Sequence, residues 1–67
     1  MLKTYTFYLR DSSGDVRFEP VLCQSDLDAM ARARSVLNQT PDCAEIEAYF
    51  GDERLFGVSR EPGGWTA

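Results

Sequence analysis

From residue 2 to residue 10 the chain alternates, with Tyr5, Phe7 and Leu9 on one side and Thr4, Thr6, Tyr8 and Arg10 on the other. A period of two with one apolar side predicts a half-buried strand. Asp11-Ser12-Ser13-Gly14-Asp15 is a cluster of turn formers, after which Val16 to Cys23 resumes a strand pattern, so the first two strands form a hairpin. Pro20 has no N–H to give to a ladder, which predicts that the second strand lies at a sheet edge or carries a bulge, with Val16, Phe18 and Leu22 turned inward. Ser25-Asp26-Leu27-Asp28 then reads as a helix start, because a serine can accept from orphan amides and two aspartates oppose the positive end of the helix dipole. The helix is predicted to run to about Asn38, with Ala29, Met30, Ala33, Val36 and Leu37 on one arc and Asp28, Arg32, Ser35 and Gln39 on the wet side. Gln39-Thr40-Pro41-Asp42 ends it. From Cys43 the period returns to two: Ala44, Ile46, Ala48 and Phe50 alternate with Glu45, Glu47 and Tyr49, and after Gly51-Asp52-Glu53 a fourth strand spans Arg54 to Arg60.

Hairpin, helix, hairpin is an α+β arrangement that one helix layered on one antiparallel sheet satisfies. The helix reverses the chain between strands two and three, so those two run the same way and strand one fits between them. The predicted fold is ββαββ with sheet order 2-1-3-4 and a right-handed crossover. Residues 1–60 form its single domain. Residues 61–67, Glu-Pro-Gly-Gly-Trp-Thr-Ala, have no period and predict a flexible tail.

The chain has 67 residues, which limits it to one small domain. Seven Lys and Arg against eleven Asp and Glu leave a net charge of −4, and six of the seven cations are arginines. No lysine-rich tract is present to grip phosphates, which speaks against nucleic-acid binding. With no histidine, the Ser-His and Cys-His nucleophile pairs and the commonest metal ligand are excluded. Cys23 and Cys43 are not in C-x-x-C spacing and fall on separate elements, so free thiols are expected. Neither a signal-peptide run nor a membrane span is legible, and the expectation is a cytoplasmic protein with no membrane partner.

The opening TYTFYLRDSSGDV, the capped helix DLDAMARARSVL and the hairpin CAEIEAYFGDERLFGV together resemble a family of short, uncharacterised alphaproteobacterial proteins. Its members combine a Tyr-rich strand, a D-x-x-G turn, an acidic helix start and a final hairpin. The resemblance covers residues 2–60 and implies the ββαββ fold. It carries no activity or site residue with it, and the Pro-Gly-Gly-Trp tail lies outside the shared pattern.

Candidate chemistry is sparse. Glu45 and Glu47 share a strand face, as a metal site or an acid-base pair would need, yet adjacent charges on a wet face account for them as well. Arg32 and Arg34 point about 200° apart on the helix and make no clamp. Cys23 would be nucleophilic only beside a cation that lowered its pKa. The more informative feature is the sheet face away from the helix, predicted to show Thr4, Thr6, Tyr8, Arg10, Val21, Glu45, Glu47, Tyr49, Phe56 and Val58. Its apolar members, Tyr8, Val21, Tyr49, Phe56 and Val58, are the candidate protein-interaction residues, and Trp65 is a candidate tail anchor that could fold back over them. Glu45 and Glu47 on the same face would repel phosphates, so an aromatic platform for single-stranded RNA is disfavoured. These features predict a non-enzymatic interaction module without metal or cofactor. Its partner is a protein or a second copy, engaged through the open sheet face or the fourth-strand edge. The alternatives are a small acidic phage-type inhibitor and an antitoxin-like protein that binds a host or toxin protein; genome neighbourhood would separate them.

Overall fold

The computed structural model describes residues 1–60. Five elements follow one another: β1 (Lys3–Asp11), β2 (Val16–Cys23), α1 (Asp26–Gln39), β3 (Cys43–Phe50) and β4 (Glu53–Ser59). The strands form one sheet of order β2-β1-β3-β4 in which all neighbours are antiparallel, and α1 packs on one side of it. The ββαββ topology is therefore the one expected. The tail and its Trp65 lie outside the described residues.

Local chemistry places each boundary. At the first turn the Asp11 carboxylate accepts from the Ser13 hydroxyl at 2.7 Å and from the amides of Ser13 and Asp15, both at 3.0 Å. The Ser13 hydroxyl bond is the main cause of a carboxyl pKa below the ordinary value. Gly14 takes φ +98°, a conformation side-chain-bearing residues avoid. At the helix start Ser25 Oγ accepts from the Asp28 amide at 3.1 Å, and Asp28 reaches back to accept from the Gln24 amide at 2.9 Å. The last helical turn has no basic residue of its own. Arg60, just past β4, supplies the charge instead: its guanidinium donates to the Leu37 carbonyl, to Thr40 O at 2.9 Å and to Cys43 O at 3.0 Å. A cation on these carbonyls ties the helix end to both strands of the second hairpin.

The core lies between helix and sheet. Tyr5, Phe7 and Leu9 from β1 meet Ala29, Ala33 and Leu37 from α1, with Ile46, Ala48 and Val58 beside them. Ala29 and Ala33 are fully buried, and their small side chains let the helix backbone settle close to the large rings beneath. Met30, predicted on the buried arc, is 37% exposed, because the helix stripe is narrower than the five-residue arc drawn from its wheel. Tyr5 is buried with its hydroxyl donating to Asp26 Oδ1 at 2.7 Å, so the one polar atom the ring carries inward is satisfied.

Two irregularities in β3 and β4 alter the simple alternation. The β1–β3 register slips between Arg10 and Asp11, which pair with Glu45 and Cys43, leaving Ala44 as the extra residue and turning Cys43 into the core. In the β3–β4 pair Tyr49 lies opposite Arg54 but Ala48 lies opposite Phe56, so Leu55 is the extra residue of a bulge.

Candidate functional site

Cross-strand partners point to the same side of a sheet, so the register identifies the uncovered face. Tyr8 pairs with Phe18 and Glu47, Arg10 with Val16 and Glu45, Thr6 with Pro20 and Tyr49, and Thr4 with Leu22. The open face thus presents Val16, Phe18, Pro20 and Leu22 along β2, a threonine-rich strip with Tyr8 and Arg10 along β1, and Glu45, Glu47 and Tyr49 along β3. Arg54, Gly57 and Ser59 of β4 complete it.

Of the five predicted contact residues, Tyr8 and Tyr49 are on this face and three are not. Val21 pairs with Tyr5 and packs against the core, so it faces the helix. The expectation for β2 failed because it turned that strand's most apolar positions inward. The five-residue turn from Asp11 to Asp15 instead sets Val16 opposite Arg10, and a one-residue change of phase moves every side chain to the other face. Val16, Phe18 and Leu22 are accordingly exposed, by 53%, 66% and 54%. Phe56 and Val58 are also on the helix side, paired with the buried Ala48 and Ile46, and Val58 is nearly inaccessible. Plain alternation from Arg54 would have left both on the open face. The bulge at Leu55 shifts the phase between Arg54 and Phe56.

Phe18, absent from the predicted contact set, is the most exposed aromatic residue of the open face. Its ring centroid lies 6.0 Å from that of Tyr8, and Tyr8 meets Tyr49 edge-on at 5.1 Å. These separations are those at which aromatic pairs attract. The signal that could have located it is the parity of the first turn: five residues between Arg10 and Val16 put Tyr8 and Phe18 opposite one another.

The charged groups of the face are paired within the sheet. Arg10 Nη1 is 3.0 Å from Glu45 Oε1, and Arg54 Nε is 3.6 Å from Glu47 Oε2. Gly57 makes room for the second pair, since a Cβ there would come within 2.8 Å of the Arg54 guanidinium. Glu45 and Glu47 share a face, but each is engaged by its own arginine rather than converging on a common point. Among the described residues no group of three or more potential metal ligands forms.

The remaining candidates sit elsewhere. Cys23 and Cys43 are free and buried on the helix side, and burial pushes the Cys23 thiol up, away from the reactive thiolate. Arg32 lies 3.4 Å from Asp28 on the helix surface. An open groove of about 400 Å³ beside the first turn is bordered by Asp11, Asp15, Asp42 and Arg17. The Asp11 carboxylate is already occupied by its turn. No described helix is long and apolar enough to cross a membrane. No protein-family model, curated protein or solved structure matches the chain.

Proposed function

We propose that the protein is a non-enzymatic interaction module of the cytoplasm that associates with a second copy of itself through the open sheet face. The observation that carries this reading is the ring cluster Phe18–Tyr8–Tyr49, flanked by the exposed Val16 and Leu22 on a face that no described element covers. Contiguous apolar surface of this kind marks contact sites more than scattered exposed residues do. Charge is compatible with a second copy as the occupant. The face is balanced, two arginines against two glutamates, while the chain as a whole carries −4. Two copies repel one another over the rest of their surface and meet here without net repulsion.

Sedimentation across the micromolar range tests the reading, with Tyr49→Glu as the disrupting variant. Tyr49 lies opposite Thr6 and Arg54, so the new carboxylate has a cation beside it and the fold survives, whereas the apposed faces would bury a charge. Wild type should pass from monomer to dimer and the variant should remain monomeric. A wild type that stays monomeric at several hundred micromolar overturns the proposal.

A further inference from the structure

The open face is two unlike halves. On β2 all four outward positions, Val16, Phe18, Pro20 and Leu22, are apolar, and the three that are not proline are each more than half exposed. On β3 and β4 the outward positions are Glu45, Glu47, Arg54, Gly57 and Ser59, with Tyr49 at the boundary. We infer that the second copy docks face to face over the β2–β1 half, with Tyr49 of β3 at the edge of the contact, about a two-fold axis that sets Phe18 and Leu22 of one copy against the same strip of the other. This rests on the self-association proposed above and specifies its geometry.

Three arguments converge on that half. Stacking the whole face would strip water from Arg10–Glu45 and Arg54–Glu47, pairs that are partly hydrated at present, and desolvating ion pairs costs more than their attraction returns. An offset stack centred on Phe18 and Leu22 leaves Arg54–Glu47 outside it and Arg10–Glu45, at the Val16 end of β1, at the wet rim. Edge pairing through β2 is obstructed, because Pro20 gives no N–H to a neighbouring strand, and Arg17 and Glu19 stand exposed on the other side of that strand. A two-fold axis then follows from self-complementarity: an apolar strip meeting its own copy closes the assembly at two subunits. Sheets stacked this way lie ~10 Å apart with interdigitated side chains. Two strands at ~4.8 Å spacing offer far less than the ~800 Å² per partner of a stable interface, so the association is weak and reversible.

Sedimentation of the full chain with two further variants separates the geometries, circular dichroism confirming that each folds. Phe18→Ser removes one exposed ring per copy and should raise the dissociation constant about tenfold or more. Leu22→Ser, also at an exposed site, should act in the same direction. Ser59→Gln adds bulk to the β4 end of the same face and should change the constant less than about twofold, since the offset stack never reaches it. If wild type dimerises but Ser59→Gln weakens it as much as Phe18→Ser does, the whole face is engaged and the half-face geometry is overturned while self-association stands. Growth beyond a dimer with concentration points to edge pairing and overturns the geometry equally. A monomeric wild type removes both.

Discussion

Strand β1 carries aromatic rings on both faces, and their surroundings are opposite. Tyr5 and Phe7 are fully buried beneath α1, whereas Tyr8, between them and Leu9, is 39% exposed and has only neighbouring rings and a salt-bridged rim around it. The difference teaches that hydrophobic content does not by itself select the core face. Cover does: one helix can seal one side, and the rings on the other side remain available to a partner.

The largest expected effect breaks this contrast directly. Phe7→Ala would open a cavity under the helix at a cost of about 3–5 kcal/mol, a large share of the ~5–15 kcal/mol a domain possesses. Its circular dichroism should show a mostly unfolded chain at 25 °C. Tyr8→Ala, one residue away, should keep the helix signal and melt close to wild type, losing assembly. The opposite result would mean that the two faces had been exchanged.

A smaller effect probes how the cover is held down. Arg60→Gln removes the cation from the carbonyls of Leu37, Thr40 and Cys43. The loss should be about 1–2 kcal/mol, since these are charge-assisted bonds at a site partly open to solvent, and a thermal melt should fall by several degrees.

The buried face also responds to alkali through Tyr5. Burial, reinforced by the bond to Asp26, pushes the Tyr5 phenol from 10.0 up to about 12. A raised acid pKa means that the folded state holds a proton the unfolded chain releases. The associated stability is complete below pH 10 and is lost as pH rises toward about 12. Tyr5→Phe has no phenol to ionise, so the difference between its melting temperature and that of wild type should change across this window. An invariant difference would show that the hydroxyl is not sealed.

The smallest expected effect is none at all. Both arginines of the open face are matched by glutamates, so the aromatic cluster should not shift single-stranded RNA or duplex DNA at physiological salt in a gel assay. Saturable, salt-sensitive binding below micromolar concentration would replace the interaction-module reading with a nucleic-acid one.

Elements whose determinants are local are legible in the sequence. The alternation of Tyr5, Phe7 and Leu9, the Ser25 cap and the turn residues around Gly14 each act within a few residues, and together with chain reversal by the helix they lead to the order 2-1-3-4. The missing N–H of Pro20 predicts an edge strand or a bulge, and β2 is an edge strand. The candidate surface was legible only in part: Tyr8 and Tyr49 belong to it, while Val21, Phe56 and Val58 face the helix and Phe18 stands where none was predicted.

The missed residues have one physical cause. Which way a strand's side chains point depends on its pairing register, and that depends on what lies across from it. In β2 the register set by the five-residue turn puts the polar Arg17 and Glu19 on the helix side, where both stay exposed, and leaves Phe18 outward against Tyr8. In β4 the extra residue at Leu55 reverses the phase after Arg54, and no composition signal marks it. Local propensity and periodicity determine that these strands and this helix exist and how they are ordered. The faces of the two edge strands, and with them the identity of the exposed apolar surface, are decided only when the hairpins close and the helix settles, because a shift of one residue in register exchanges inside for outside.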